Sequence, residues 1–148
     1  MGDVYILSAV RTPIGKFGGS LSSMTAADMG VVAAKAAMER AGVSPQQIEE
    51  TIFGNARQAG GGPNVARQIS VRSGVSQEVP AYTVNKACAS GMKSIALAYQ
   101  EIATGNLEAV LAGGTESMPS RRRKQRLIAR FRSSRHRQSA LAERSQQA

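Results

Sequence analysis

The sequence predicts an α/β fold in which a mostly parallel sheet is connected by crossover helices. Short apolar runs of strand length alternate along the chain with longer segments whose apolar residues recur at helical spacing. Of the 148 residues, 42% are hydrophobic, which is enough to build the core of one domain. Because a helix between sequential strands acts as a crossover between parallel neighbours, this alternation favours a layered α/β domain.

The first two predicted elements are a strand at residues 4–7 and an amphipathic helix that ends at Gly42. The strand is a short apolar run between polar residues, a pattern consistent with burial on both faces. A turn-rich connection follows, and Thr25 with Asp28 has the form of a capping box that starts the helix. One face of this helix carries Ala27, Val31, Ala34, Met38 and Ala41.

The remaining elements continue the alternation of helices and strands. The predicted strands cover residues 51–53, 81–85 and 109–112. A short predicted helix starts at residues 44–47, and two further predicted helices cover residues 64–72 and 90–104. A glycine-rich loop at residues 60–62 precedes one of these helices, and such a loop can cradle a phosphate. Its spacing matches neither a P-loop nor a dinucleotide fingerprint, so we interpret it as a flexible loop and assign it no ligand.

All the excess charge of the chain lies in its last segment. Residues 1–120 hold nine basic and nine acidic residues, whereas residues 121–148 hold ten basic residues and one acidic residue, which gives the net charge of +9. The high charge is therefore no guide to what the first 120 residues bind. A single cysteine, no secretory signal and no membrane-length apolar run lead us to expect a soluble cytoplasmic protein without membrane contact.

The single cysteine, Cys88, lies where the extended run at residues 81–84 gives way to a long helical pattern. The first turn of a helix carries unpaired N–H groups and the positive end of the helix dipole, which favour a nucleophilic thiolate. Small neighbouring residues would let a bulky substrate approach the sulfur atom. The alternative is a buried structural cysteine that acts as a small hydrophobic residue.

The sequence around Cys88 favours its interpretation as a nucleophile, because it resembles the acyl-enzyme cysteine signature of the thiolases. The matching positions are Val84, Asn85, Cys88, Ala89, Ser90, Gly91, Ser94, Ile95 and Ile102. The resemblance extends in order from about Val4 to Met118 and then stops. It also covers residues 10–21, Gly54 with Asn55, residues 66–68 and residues 112–118.

The resemblance implies the fold, the reaction and the role of Cys88. In thiolases such a sheet is one half of a layered pair of similar domains, and the helix of the nucleophile lies between the sheets. These enzymes join two acetyl-CoA molecules into acetoacetyl-CoA, or catalyse the reverse thiolysis. Cys88 would form the acyl-thioester intermediate, coenzyme A thioesters would be the substrates, and the intact family forms homo-oligomers. We expect no metal and no further cofactor.

The same resemblance predicts that this chain alone does not turn over. A thiol is mostly protonated at neutral pH and needs an adjacent base, which the family supplies as a histidine from the other half of the fold. A second cysteine moves the proton of the attacking carbon. Here the single histidine, His136, lies between two arginines and matches no family motif, and there is no second cysteine.

Four polar residues in the matched segments are interpreted without a direct role in the chemistry. Arg11 and Lys16 could be phosphate contacts, but in a turn we interpret them as solvated charges. Glu116 resembles a family element, and we expect its carboxylate to bond to backbone. We expect Asn85 to fix the turn before Cys88 through its amide.

Residues 121–148 are predicted to be a separate, disordered tail, because Arg, Ser, Gln and Ala dominate it. One hypothesis makes it an arm that binds nucleic acid or an anionic surface through its charge. A second is a helix with Leu127 and Phe131 on one face. A third, favoured by the abrupt end of the thiolase-like sequence, is the product of a shifted reading frame. We therefore expect no nucleic acid partner.

Overall fold

The computed structural model describes residues 3–118, in which three parallel strands form one sheet. The strands are β1 (Glu50–Gly54), β2 (Ala81–Val84) and β3 (Val110–Gly114), and β1 lies in the centre in the order β2-β1-β3. Phe53 is the register partner of Thr83 on one side and of Gly113 on the other. The predicted α/β class and parallel pairing are confirmed. The predicted tail at residues 121–148 and His136 lie outside the described residues.

Three α-helices cover the two faces of the sheet. They are α1 (Ala26–Ala41), α2 (Val65–Arg72) and α3 (Ser90–Ala103), and a short 3-10 helix spans Pro45–Gln47. Helices α1 and α2 pack together on one face, where an apolar core forms. Helix α3 packs on β1 and β3 from the opposite face. Successive residues of a strand point to opposite faces of the sheet, and Phe53 belongs to the apolar core whereas a Cβ atom on Gly54 would meet α3. The core residues are Ala26, Ala27, Ala34, Met38, Ile48, Phe53, Val65, Ala66, Ile69, Val75 and Leu111.

None of the helices in residues 3–118 has the length and apolar character needed to cross a membrane.

The predicted capping box at the start of α1 is confirmed. The Asp28 backbone N–H donates to Thr25 Oγ1 at 3.1 Å, and the Thr25 backbone N–H donates to Asp28 Oδ2 at 2.8 Å. Arg72 on α2 donates to the other carboxylate oxygen of Asp28 at 2.6 Å. These bonds, the Arg72 bond first, lower the pKa of Asp28 from 3.8 to about 2. The cap therefore also ties α1 to α2.

Replacing Asp28 by asparagine is expected to lower the free energy of unfolding by about 1 kcal/mol near neutral pH. The full lowering of the Asp28 pKa would correspond to more, but a third of this side chain is exposed, so water screens the pair. The carboxylate stabilises the fold fully above pH 3.8, and this contribution is lost as the pH falls through about 2. Urea unfolding of the wild type and of Asp28→Asn across this range, with Asp3→Asn as control, measures it. A difference that does not depend on pH would contradict the expectation.

The predicted strand at residues 4–7 is wrong for the described chain. These residues pair with no described strand, and Tyr5, Ile6 and Leu7 are 72%, 80% and 67% exposed. An apolar run indicates a preference for burial, whereas a strand also requires a hydrogen-bonded neighbour. Within residues 3–118, β1, β2 and β3 pair only with one another, so no partner reaches this run.

Helix α3 is covered on one side only in the described chain. It packs on the sheet through small residues, since Ser90, Ser94 and Ala98 are buried. Its larger apolar side chains point away from the sheet, and Met92 and Tyr99 are 71% and 55% exposed. The thiolase resemblance implies a helix that lies between two sheets, and in residues 3–118 one sheet covers it.

Candidate active site

Cys88 lies in a tight turn between the end of β2 and the start of α3. Because the strands are parallel, this turn meets the ends of β1 and β3 at the same edge of the sheet. The turn is closed by two backbone bonds, from Ala89 N–H to the Lys86 carbonyl at 3.0 Å and from Ser90 N–H to the Ala87 carbonyl at 3.2 Å. Cys88 is a free thiol and is exposed to solvent, so it is not part of the core.

Asn85 fixes the turn through both ends of its side-chain amide, as the sequence predicts. Its Oδ1 accepts a hydrogen bond from the backbone N–H of Ala87 at 3.1 Å. Its Nδ2 donates to the backbone carbonyl of Ala56, beyond the end of β1, at 3.1 Å. Ala87 has a φ of 48°, in the left-handed region that residues with a side chain rarely adopt. The amide of Asn85 thus stabilises an unusual backbone conformation directly before Cys88.

Ser90 adds a second fixation that the sequence analysis missed. Its buried hydroxyl accepts a hydrogen bond from the backbone N–H of Lys86 at 2.8 Å and donates to the Ala87 carbonyl at 2.6 Å. One hydroxyl group at the start of α3 therefore bonds to two successive residues of the turn, Lys86 and Ala87. The signal in the sequence is a serine at the start of a predicted helix, whose hydroxyl can bond to nearby backbone groups.

Two glycines allow the first turn of α3 to approach the sheet. A Cβ atom on Gly54 would lie 2.2 Å from the Ser90 carbonyl carbon and 2.4 Å from the Gly91 nitrogen. A Cβ atom on Gly114 would lie 2.9 Å from the Gly91 Cα. These distances are shorter than van der Waals contact, so the ends of β1 and β3 must lack side chains here. The helix also bonds to β3, because Ser94 Oγ donates to the Gly113 carbonyl at 2.7 Å.

Glu116 bonds to backbone, as predicted. Its two carboxylate oxygens accept hydrogen bonds from the successive N–H groups of Ala56 and Arg57, at 3.1 and 2.9 Å. The carboxylate therefore holds the chain just after β1. The neighbouring Asn55 is buried, and its Nδ2 donates to the Thr115 carbonyl at 2.7 Å. The segments that follow β1 and β3 are thus joined twice.

The two basic residues near the amino terminus lie on the surface. Arg11 is exposed, and its guanidinium group donates to the Thr12 carbonyl at 3.2 Å. Lys16 is also exposed.

The glycine-rich loop is held from within the chain, since Gln68 Nε2 on α2 donates to the carbonyls of Gly61 and Pro63 at 2.8 and 2.9 Å. In residues 3–118 no three His, Cys, Asp or Glu side chains are grouped so that they could hold a metal ion.

Comparison with known proteins identifies relatives of this chain. The family model described as thiolase, N-terminal domain, matches residues 4–148. The acetyl-CoA acetyltransferase of Cupriavidus necator is 51% identical over 118 residues, which are 80% of this chain and 30% of that protein. The cytosolic acetyl-CoA acetyltransferase of Gibberella zeae is 54% identical over 115 residues, which are 78% of this chain and 29% of that protein.

A solved structure shares the same fold. The crystal structure of the Acat5 thiolase from Ascaris suum in complex with coenzyme A matches with a TM-score of 0.75 and 47% sequence identity. The match covers 76% of this chain and 30% of that chain, so the chain spans about 30% of the length of the relatives that it matches. The chain belongs to the thiolase family and corresponds to an amino-terminal part of it.

Proposed function

We propose that Cys88 is the acyl-accepting nucleophile of a thiolase-type acyltransferase, acting on acyl-CoA thioesters. The observation that carries the proposal is an exposed free thiol in a turn fixed by Asn85 and Ser90 at the start of α3. The acetyl-CoA acetyltransferases that resemble this chain, and the coenzyme A in the related Acat5 structure, support this substrate class.

The proposed chemistry at Cys88 is a thioester exchange. The sulfur atom attacks the carbonyl carbon of acetyl-CoA, a new bond forms between sulfur and carbon, and the bond to the coenzyme A sulfur breaks. The proton of the Cys88 thiol leaves with the departing coenzyme A thiolate. A thiolate suits both directions, because it is a strong nucleophile and a good leaving group. The product is an acetyl group on Cys88, which the family passes to a second acetyl-CoA.

The complete reaction requires groups that this chain does not carry. The single histidine of the sequence, His136, lies between two arginines and matches no family motif, and Cys88 is the single cysteine. We therefore propose that the chain alone accepts an acyl group and does not form acetoacetyl-CoA. Assembly with further copies, as in the intact family, and a cytoplasmic location remain predictions from the resemblance and the sequence.

Incubation with acetyl-CoA is expected to add one acetyl group to the chain, at Cys88. Intact-mass and peptide mass spectrometry measure the addition and its position, and an assay for coenzyme A measures the equimolar product. Cys88→Ala is the control and should stay unmodified. Acetylation confined to lysines, or acetoacetyl-CoA formed faster than in the control, would contradict this proposal.

A second hypothesis is a non-catalytic protein that binds nucleic acid through residues 121–148. It is suggested by the ten basic residues of that segment against one acidic residue. We expect no such binding. Titration with duplex DNA at several salt concentrations tests it, with a chain that lacks residues 121–148 as control. Salt-sensitive binding that the deletion removes would favour the second hypothesis.

A further inference from the structure

We propose that the Glu116 carboxylate is a positioning group for Cys88, acting through the backbone of residues 56–57 and the side-chain amide of Asn85. The inference rests on the proposed role of Cys88 as a nucleophile. Glu116 lies 28 positions after Cys88 in the sequence. It makes no direct contact with the Cys88 turn among the hydrogen bonds of residues 3–118, so its effect must pass through other groups.

The first step is the attachment of Glu116 to the chain after β1. Its two oxygens accept from the N–H groups of Ala56 and Arg57, and hydrogen bonds to a charged acceptor are stronger than those between neutral groups. Glu116 itself follows a fixed residue. The Thr115 N–H donates to the Gly54 carbonyl at 3.0 Å, and Thr115 Oγ1 donates to the Ala26 carbonyl at 2.6 Å. The carboxylate therefore starts from an anchored position.

The side-chain amide of Asn85 links Ala56 to the turn that carries Cys88. The carbonyl of Ala56 accepts from Asn85 Nδ2, and Asn85 Oδ1 accepts from the N–H of Ala87. The side-chain amide is planar, so a bond at its nitrogen also sets the direction of its oxygen. If residue 56 moves, Asn85 must lose one of its two bonds or rotate. The position of Ala56 thus controls whether Asn85 can hold Ala87.

The third step connects Ala87 to its neighbour Cys88. A left-handed backbone costs a residue with a side chain about 1 kcal/mol or more, so Ala87 keeps its φ of 48° only while other contacts hold it. The bond from Asn85 is one of these contacts, and the Ser90 hydroxyl supplies another. Loss of the Asn85 bond is therefore expected to let the Cys88 turn sample other conformations without unfolding the domain.

The proposal is tested by the reactivity of Cys88 in Glu116→Ala, Glu116→Gln and Asn85→Ala. The probes are acetyl-CoA, followed by mass spectrometry, and iodoacetamide, followed over a range of pH. We expect Glu116→Ala to slow both acetylation and alkylation of Cys88, and to slow acetylation about tenfold, equivalent to about 1.4 kcal/mol in the activation barrier. Glu116→Gln keeps one acceptor oxygen and should restore part of the rate. Glu78→Gln, a change at another exposed glutamate, should have no effect.

A double substitution separates positioning from general stability. Because both residues act along one path, Glu116→Ala should add little to the rate loss of Asn85→Ala. Additive losses, or unchanged Cys88 reactivity in Glu116→Ala, would overturn the proposal. If the wild type is not acetylated but its alkylation still responds to Glu116→Ala, the proposed function fails and the positioning role stands. Urea unfolding of each variant verifies that the domain is folded.

Discussion

Replacing Gly54 by alanine is expected to destabilise the domain by about 3 kcal/mol and to displace the turn that carries Cys88. The added methyl group would lie 2.2 Å from the Ser90 carbonyl carbon and 2.4 Å from the Gly91 nitrogen. Both are backbone atoms, so no rotation of a side chain can relieve the overlap. Either the first turn of α3 moves away from β1 or the end of the strand moves. Urea unfolding measures the loss, and acetylation of Cys88 reports the displacement.

Gly61→Ala is a matched control for this substitution. A Cβ atom on Gly61 would have its nearest neighbours at 3.6 Å, which is ordinary van der Waals contact. We expect this variant to retain the stability and the Cys88 reactivity of the wild type. If Gly54→Ala proved as stable and as reactive as Gly61→Ala, α3 would not depend on a bare backbone at the end of β1.

Local patterns in the sequence predict most of the described fold. The capping box at Thr25 and the glycine that ends α1 are short-range signals, and the structure places both where the sequence expects them. The prediction of a strand at residues 4–7 is wrong because the local sequence does not show whether a neighbouring strand is present to pair with it. The same limit applies to α3, whose spacing predicts an apolar face but does not determine what covers it.

In the candidate site, too, the sequence predicts contacts between residues close in the chain but not those between distant segments. The bond from Asn85 to Ala87 spans two residues, and the sequence predicts it through the ordinary behaviour of asparagine in turns. The bonds from Asn85 to Ala56, and from Ala56 to Glu116, join segments that only the parallel sheet brings together. A sequence pattern can name Glu116 as a carboxylate that bonds to backbone. Its link to the Cys88 turn requires the structure.

Gly54 also shows why the sequence alone did not predict the contact that holds α3. A glycine at the end of a strand is typical of a turn, and in the sequence Gly54 stands out only as part of the thiolase-like pattern. Its φ is not in the left-handed region, so conformational freedom is not the reason for its presence. The reason is the helix above it, 36 residues later in the chain.

Replacing Ser90 by alanine is expected to cost about 2 kcal/mol of unfolding free energy and to slow acetylation of Cys88. The hydroxyl is buried, accepts from the Lys86 N–H and donates to the Ala87 carbonyl. Alanine keeps the Cβ atom and so preserves the packing of α3 on the sheet. It removes the bridge across the turn, and it takes the side-chain acceptor from the N–H of Lys86. Urea unfolding and the acetylation rate measure the two effects.

Ser76→Ala is the appropriate comparison, because its hydroxyl makes one exposed hydrogen bond, from the Glu78 N–H at 3.2 Å. Water can replace that bond, so the stability should change little. The combination with Asn85→Ala is informative, since Ser90 and Asn85 bond to different groups of the same residue, Ala87. If both hold one left-handed residue, the second loss should be larger once the first support is gone. Strictly independent effects would show that Ala87 keeps its conformation without either side chain.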